Sequence, residues 1–423
     1  MRAALVLAVF LGLALPAQAQ DIAGTWQADG KPQRVLKIQK AANGYRGTFH
    51  NLGDENFMAT RNNSVSAIRL TGNTIAFSLD KAQGDFTGQL SEDGKTLTGS
   101  WKTLYGGAQP LTFTHAAKGS EWVVDPSPHK TLSVTVEPGV TLEVLDWGGK
   151  GRPLILLTGL GNTAHTFDNF APKLTGTHHV YAITRRGFGA SSTPSFTDED
   201  YDADRLGDDV LAVMAALKIE KPVLAGHSIG GGELSSIGTR HPDKIAGLVY
   251  LEALYQYAFY NPAQTDLAMS RAILRRGLDR LADVEPSPSQ WKATAADIQS
   301  AMAKLQTALQ ETTEMFGPEE LPVEGQKPED LAGNRIMAGV RPYGAASVPM
   351  LVIMAIPRRC APNCDKPYMQ RIMAGDAARL ELFEKSAPSA KVVRIANASH
   401  YIYRSNEADV LREMNVFLGG LPR

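Results

Sequence analysis

Cysteine is scarce in this chain, which has only two such residues among 423. Cys360 and Cys364 are one position farther apart than the Cys-x-x-Cys spacing that is typical of redox pairs. No further His or Cys, which a metal site would need beside these two, lies nearby in the sequence. We therefore expect a local disulfide between the two, as is usual in an oxidising, exported environment.

An excess of charge of either sign is also missing. The 43 basic residues nearly balance the 44 acidic ones, and no basic stripe or acidic tail is present. This balance disfavours nucleic acid as a partner. No apolar run, the one near the start of the chain included, reaches the roughly 18 residues that a transmembrane helix requires. No stable membrane anchor is therefore predicted.

The start of the chain has the pattern of a secretory signal. Arg2 precedes an apolar run from Ala3 to Leu15, and the small-x-small sequence at 17–19 follows. This pattern is typical of a signal peptide that is cleaved after a small residue. We predict that residues 1–19 are removed, that the mature chain starts at Gln20, and that the protein is periplasmic or secreted.

Residues 20–117 have the alternating apolar and polar pattern of short β-strands. Strand-like segments such as Arg34–Ile38 and Asn73–Leu79 are separated by turn signals such as Glu92-Asp93-Gly94-Lys95. Seven or eight strands at this spacing predict a small antiparallel barrel or sandwich. Gly24-Thr25-Trp26 resembles the opening strand of lipocalin-like modules. The pattern is compatible with a ligand-binding barrel and with a module that packs against the rest of the protein.

Residues 131–423, after a proline-containing linker at 118–130, alternate between strands and helices. The continuously apolar Pro153–Leu157 is typical of a buried parallel strand. The alternation predicts an α/β domain with a mostly parallel sheet that is covered by helices on both faces. One face of a predicted helix holds Leu206, Val210, Val213 and Leu217.

Residues 254–346 interrupt this alternation, in an interval too long for a plain connection. A helical lid above the carboxyl edge of the sheet is the favoured interpretation, and a peripheral helical pair is the alternative. Two helical faces are visible, one with Leu267, Leu274, Leu278 and Leu281, the other with Ile298, Met302, Leu305 and Leu309.

The short apolar run Pro222–Ala225 leads into Gly226-His227-Ser228-Ile229-Gly230, and a helix-compatible segment follows. This strand-turn-helix context is typical of a nucleophile elbow, which presents a serine on a strained turn. The two glycines avoid Cβ collisions where strand and helix pass closely. Ser228 is therefore the predicted nucleophile.

A serine nucleophile needs a base and a group that orients the base. His400 lies just after the last apolar strand, from where it can fold back over the elbow. Glu252 directly follows the strand after the elbow, whereas Asp365 is the first carboxylate after the next-to-last strand. We favour Glu252 over Asp365 as the acid, because it ends a strand. The predicted triad is Ser228, Glu252 and His400.

The tetrahedral intermediate of acyl transfer also needs hydrogen-bond donors aimed at its oxyanion. One candidate is the amide of Ile229, directly after the nucleophile. The second is the amide of Leu160, in a glycine-containing loop after an early strand.

Several of these segments together resemble the α/β-hydrolase family over about residues 131–423. Leu156–Gly161 resembles the His-Gly oxyanion loop of the family, with Thr158 in place of His. Thr184–Ser191 resembles its Asp-x-Arg-Gly-x-Gly-x-Ser segment, with Thr184 in place of Asp. The resemblance implies an α/β-hydrolase fold with serine-dependent hydrolysis. The resemblance to the family also implies that dehalogenases and epoxide hydrolases use an aspartate as the nucleophile at the elbow. The serine at this position therefore argues against either activity for this chain.

The predicted function is an exported, carboxylesterase-like serine hydrolase that acts on a small-molecule acyl substrate and needs no cofactor or metal ion. An aminopeptidase or amidase of the same fold is an alternative, with Glu319, Glu320 and Glu324 available to hold a substrate amine. The second alternative is a non-catalytic ligand-binding protein. The complete predicted triad argues against it, because a protein that only binds a ligand has no use for a triad.

Overall fold

The computed structural model of this chain describes residues 21–30, 33–41, 44–52, 63–79, 84–102, 108–122, 124, 127–194, 199–282, 287–316, 332–360 and 364–422. The predicted signal peptide at 1–19 lies outside the described residues, as do Glu319, Glu320 and Glu324. Within the described part, no helix combines the length and the apolar character needed to cross a bilayer.

Eight antiparallel strands near the amino end form a closed barrel in chain order. The first strand pairs with the last, so that Trp26 lies opposite His115 and the barrel closes. The predicted antiparallel domain is therefore confirmed as a barrel, not a sandwich. The strands are β1 (Gly24–Ala28), β2 (Gln33–Ala41), β3 (Gly44–Leu52), β4 (Asn63–Thr71), β5 (Thr74–Leu79), β6 (Asp85–Leu90), β7 (Thr96–Lys102) and β8 (Ala108–His115).

The interior of this barrel is packed with apolar side chains. Phe49 stacks on Trp101 with ring centroids 5.0 Å apart, and Phe86 meets Phe113 edge to face at 5.6 Å. A barrel of eight strands is just wide enough for side chains to fill it. In the described part of the barrel, this packing favours a structural module over a ligand-binding one. Further members of the buried cluster are Trp26, Leu36, Ile38, Ile75, Phe77 and Leu97.

The rest of the chain is built on an eight-stranded sheet. Its strands are β9 (Lys130–Glu137), β10 (Val140–Gly148), β11 (Pro153–Leu157), β12 (His179–Ile183), β13 (Val223–His227), β14 (Gly247–Leu251), β15 (Met350–Met354) and β16 (Lys391–Arg394). Their order across the sheet is β16-β15-β14-β13-β11-β12-β10-β9. Strands β9 and β10 are antiparallel to their neighbours, and the other six are parallel. The mostly parallel sheet predicted from the sequence is confirmed.

Helices cover both faces of this sheet. They are α1 (Ala203–Leu217), α2 (Gly230–Arg240), α3 (Leu267–Ala282), α4 (Pro288–Phe316), α5 (Ala332–Ala338), α6 (Pro367–Ser386), α7 (Ile402–Ser405) and α8 (Glu407–Gly419). Val210 and Val213 of α1 pack on one face together with α2 and α6, as the predicted helical face requires. Val410 and Met414 of α8 pack on the other face.

Helices α3 to α5 lie between β14 and β15, in the interval where the sequence predicts an insertion. Met269 and Ala272 of α3 and Ile336 of α5 share one buried cluster with Ile229, the residue that follows Ser228. Two of the three insertion helices therefore belong to the same buried cluster as a residue of the elbow.

The apolar face that identifies α4 in the sequence is buried only in part, since Ile298 and Leu305 are half-buried. Met302 and Leu309 are 56% and 51% exposed, whereas Ala301 and Ala308 are buried. Small residues lie inside because α3 and α4 approach closely. A Cβ on Gly277 of α3 would lie 2.7 Å from the Cγ1 of Ile298. Apolar periodicity predicts the helix, but it does not show that small residues are favoured on the side where two helices pack closely.

Candidate active site

The turn after β13 has the geometry of a nucleophile elbow. Ser228 has a φ of 52°, in the left-handed region that non-glycine residues rarely adopt. A Cβ on Gly226 would lie 2.9 Å from the carbonyl carbon and oxygen of Gly230, so strand and helix can pass only because this residue is glycine. The strained turn presents Ser228 at the carboxyl edge of the sheet.

Gly231, in the first turn of α2, is packed even more tightly than the glycines of the elbow. A Cβ there would overlap the carbonyl oxygen of Ala253 and lie 3.0 Å from the Cβ of Ala258. We expect Gly231→Ala to lower the free energy of unfolding by about 2–3 kcal/mol, because backbone must move to make room. Thermal unfolding measures the effect.

The matched control is Gly232→Ala, one residue farther along the same helix. The nearest atom to a Cβ at Gly232 would be the carbonyl oxygen of Tyr257 at 3.6 Å, which is an ordinary contact. This variant is expected to be neutral or stabilised by up to about 1 kcal/mol, because alanine favours a helix over glycine. A Gly231→Ala protein that melts together with this control would contradict the packing argument.

Glu252 begins the loop after β14 and reaches His400. It also has a positive φ, 48°, and its side chain is 1% exposed. Its Oε2 lies 3.3 Å from Nδ1 of His400, and its Oε1 accepts a 2.6 Å hydrogen bond from the amide of Ala355. Both oxygens are thus held in the arrangement of a carboxylate that orients a histidine.

A tyrosine and an arginine support this carboxylate. The Tyr255 hydroxyl donates a 2.5 Å hydrogen bond to Oε2 of Glu252, and Nη2 of Arg358 donates to the Tyr255 oxygen at 3.3 Å. Burial by itself raises the pKa of Glu252. The hydrogen bonds from His400 and Tyr255 and the charge of Arg358 outweigh burial, so the pKa of this carboxyl lies below its ordinary value. Glu252 therefore stays ionised beside His400.

His227, the last residue of β13, holds His400 from the other side. Its Nε2 lies 2.9 Å from the carbonyl oxygen of His400, so this nitrogen carries a hydrogen and donates it. The two rings are 4.7 Å apart, and the His227 ring also packs on Tyr401 and Tyr403. Burial, together with the nearby His400, places the pKa of His227 well below its ordinary value. His227 is therefore a neutral positioning residue.

The loop after β11 and the start of α2 carry the two amides that the sequence assigns to an oxyanion hole. Among the residues that the structure describes, neither the Leu160 amide nor the Ile229 amide donates a hydrogen bond. Arg185 joins the two elements. Its Nε and Nη2 donate to the carboxylate of Glu233 in α2 at 2.6 and 2.8 Å, and Nη2 also donates to the Thr158 carbonyl at 2.8 Å. This buried fork keeps the loop and the helix in a fixed arrangement.

A tyrosine and an apolar wall lie beside the elbow that carries Ser228. Burial raises the pKa of Tyr257 and has a larger effect than the interaction of its hydroxyl with Ser228, which lowers the pKa, so this tyrosine keeps its proton. Tyr257 also packs on the buried cluster that joins Leu160 and Ile229 to the insertion helices. The other buried members of this wall are Phe188, Tyr201, Leu206, Met269, Ala272, Ala332, Ile336 and Val340.

The structure brings together two members of the predicted triad, Glu252 and His400, near the strained turn that carries Ser228. Asp365 is exposed on the segment before α6. The catalytic roles of these residues remain predictions, as do those of the two amides. The predicted disulfide between Cys360 and Cys364 is present.

Sequence reasoning missed the two tyrosines of the site. Tyr255 and Tyr257 follow Glu252 by three and five residues, in the loop at the carboxyl edge of the sheet. Tyrosines in such a loop, shortly after a candidate acid, are the sequence feature from which a role in the site could be predicted. The Arg185–Glu233 fork had no such signal, because its partners are far apart along the chain.

Residues 154–413, more than half of the chain, match the model of the alpha/beta hydrolase family. The chain belongs to this family. This hydrolase is similar to 2-hydroxymuconate semialdehyde hydrolase from Pseudomonas sp. (strain CF600). The two are 34% identical over 106 residues, which cover 24% of this chain and 37% of that protein. A bifunctional esterase/perhydrolase from Acinetobacter calcoaceticus is 33% identical over 124 residues, 29% of this chain and 44% of that protein.

The matched segments span less than half of the length of these two curated relatives. A solved structure of E-2-(acetamidomethylene)succinate hydrolase aligns with 69% of this hydrolase and 100% of its own chain, with a TM-score of 0.44 and 17% identity. The family match establishes an α/β hydrolase, and the reaction it performs has to be argued from the site.

Proposed function

We propose that this hydrolase cleaves carboxylic esters or related acyl compounds through an acyl-enzyme on Ser228. His400, oriented by Glu252, accepts the proton of the Ser228 hydroxyl as its oxygen attacks the substrate carbonyl. The amides of Leu160 and Ile229 stabilise the oxyanion of the tetrahedral intermediate. Protonated His400 then gives its proton to the leaving alcohol, and a water molecule activated by the same base releases the acid.

The observation that carries this proposal is the contact between the Glu252 carboxylate and Nδ1 of His400. An ionised carboxylate this deeply buried is costly unless donors compensate for its lost hydration. Here the donors include the Ala355 amide, the Tyr255 hydroxyl and the His400 ring. The His400 side chain itself is 29% exposed, so the ring is oriented from inside and accessible to a substrate from outside.

The apolar wall beside the elbow supports the proposal that the acyl or alcohol group of the substrate is uncharged. Leu160, Ile229 and Tyr257 pack with apolar residues of α3 and α5, so a charged group bound there would lose hydration without a partner. The relative named as an esterase/perhydrolase supports esters as the first substrate class to test.

The pH dependence of kcat/KM is expected to show a single ionisation on its acid side. His400 must be neutral to accept a proton, so the rate falls as the pH is lowered. Glu252 has a pKa below its ordinary 4.5 and keeps its charge, while His227 has a pKa well below 6.5 and stays neutral. The rate therefore falls about tenfold per pH unit. A limb of about hundredfold per unit would mean that a second group titrates with His400.

The proposed nucleophile is tested with a fluorophosphonate probe and intact-mass measurement. We expect one adduct per chain on the parent protein and none on Ser228→Ala. Absence of an adduct on folded parent protein would contradict the proposal and return attention to the ligand-binding alternative.

Substrate class is tested on the same preparation with p-nitrophenyl esters and peptidyl p-nitroanilides. Faster turnover of the esters is expected. Amide turnover that exceeds ester turnover would favour the aminopeptidase or amidase alternative, although Ser228 would still be labelled.

We also propose that the protein is exported. The signal pattern at residues 1–19 supports this, and so does the Cys360–Cys364 disulfide, since such bonds persist in oxidising compartments. After expression of the full chain in a bacterial host, the periplasmic fraction should hold a protein that starts at Gln20. A cytoplasmic product that retains residues 1–19 would contradict export.

A further inference from the structure

A second cluster of titratable side chains lies where the linker meets the sheet. His129 is the last residue before β9, and Glu143 lies on β10. His165 belongs to a short 3₁₀ helix, Ala164–Phe167, and Asp168 follows that helix directly. All four side chains are at most 5% exposed. Two imidazoles and two carboxylates are thus buried together, outside the groups that the proposed reaction uses.

Three of these residues hold possible metal-ligand atoms close to one another. Nδ1 of His165 lies 3.2 Å from Oδ2 of Asp168, and Nε2 of His129 lies 3.6 Å from Oδ1 of the same residue. One ligand atom from each of the three lies within 4.8 Å of the others. In a tetrahedral zinc site with bonds near 2.1 Å, neighbouring ligand atoms are about 3.4 Å apart. An ion among these atoms therefore requires the most distant of them to approach by up to about 1.4 Å.

Glu143 lies where an outer carboxylate of a metal site is expected. Its Oε1 is 3.7 Å from Nε2 of His165, the ring nitrogen that does not contact Asp168. A metal-bound histidine commonly donates the N–H of its second nitrogen to a carboxylate, which fixes the ring and strengthens it as a ligand. The Thr184 hydroxyl donates a 2.6 Å hydrogen bond to Oε2 of Glu143 and accepts one from the Ala164 amide. The outer carboxylate is therefore itself held in place.

We propose that His129, His165 and Asp168 bind one Zn²⁺ ion, with a water molecule in the fourth position. Two imidazoles and one carboxylate are among the three-residue ligand sets that zinc accepts. The ion connects the linker, through His129, to the segment that directly follows the loop with Leu160. The bound ion fixes the end of the linker and the base of the candidate oxyanion loop to the same point.

A proton is the competing occupant of this cluster. Burial by itself lowers the pKa of His165, but Asp168 and Glu143 outweigh burial and raise this pKa to about 10. Without a metal ion, a protonated His165 pairs with both carboxylates. Zinc binding displaces that proton from Nδ1. The two occupants are therefore distinguished by metal content and not by the positions of the side chains.

The test is a zinc titration of the full chain after treatment with a chelator. Bound metal is counted by inductively coupled plasma mass spectrometry, and Co²⁺ replaces Zn²⁺ as a probe with visible absorption. We expect one ion per chain and a melting temperature roughly 5–10 °C higher with saturating zinc. His165→Gln and Asp168→Asn should lose both effects. The control His179→Gln should keep them, since His179 pairs with Asp146 at 2.8 Å, outside the cluster.

A milder variant keeps the test valid even if the His165 and Asp168 variants do not fold. His129→Gln removes the ligand from the linker and leaves the contacts among His165, Asp168 and Glu143 in place. It should weaken zinc binding at least about tenfold, while its metal-free melting temperature stays close to that of the metal-free parent. The proposal is wrong if the parent binds no zinc, or if the His165 and Asp168 variants bind it as well as the parent. The cluster is then an ion-pair network.

Discussion

The Ser228→Ala variant is expected to lose ester hydrolysis almost completely, with kcat reduced by roughly 10⁴- to 10⁶-fold. The Ser228 oxygen forms the bond to the acyl group, so its removal abolishes the covalent route. Only binding and the preorganised amides of Leu160 and Ile229 then assist direct attack by water. Initial rates with a p-nitrophenyl ester measure the loss, and circular dichroism establishes that the variant is folded.

Ser235→Ala is the matched control for this variant. Ser235 is a buried serine of α2, close to the elbow in the chain, and its hydroxyl donates a 2.7 Å hydrogen bond to the carbonyl of Ala258. Its removal should cost about 1–2 kcal/mol of stability and leave kcat near that of the parent. If Ser228→Ala kept a kcat comparable with that of this control, Ser228 would not be the nucleophile.

The Glu252→Gln variant is expected to lose about 10³- to 10⁴-fold in kcat, with little change in KM. Glutamine has the same size and can still accept the hydrogen bond from the Ala355 amide. It lacks the negative charge that stabilises protonated His400, and its amide nitrogen can favour the wrong tautomer of that ring. Steady-state kinetics on the ester substrate and the rate of fluorophosphonate labelling should fall together.

Asp365→Asn separates the two acids that the sequence leaves in competition. Asp365 is exposed, whereas Glu252 contacts His400 at 3.3 Å. The Asp365 variant is therefore expected to retain the kcat of the parent. The reverse pattern, with Glu252→Gln active and Asp365→Asn inactive, would place the acid on the segment before α6.

The strands around the site were predictable because they are buried on both sides. Strands β13, β14 and β15 are buried at all five positions. β14 and β15 therefore appear in the sequence as continuous apolar runs, and β13 as a shorter one that ends in Gly226 and His227. A polar residue that ends such a run is easily noticed. Glu252 is predicted for this reason, whereas Ser228 is predicted from the Gly-x-Ser-x-Gly pentapeptide that follows such a run; both follow their strand directly with a positive φ.

The supporting contacts of the site were not predictable, because they join segments that are distant along the chain. Thr184 replaces the more common Asp of its motif, and nothing near it in the sequence shows that Glu143 of the neighbouring strand β10 brings a carboxylate within 2.6 Å of it. The same applies to the two histidines of the proposed zinc site, which come from the linker and from the loop region after β11. The expectation that no metal is needed rested on the surroundings of the two cysteines and on the chemistry of the triad.

The packed interior of the barrel has a consequence for how this domain can vary in evolution. On β6, Phe86 and Leu90 point inward and are buried, whereas Asp85, Thr87 and Gln89 alternate with them and are exposed. Substitutions at the inner positions leave cavities or clashes in a filled core. Substitutions at the outer positions cost little, so the outer surface of this barrel can change in evolution while its interior stays the same.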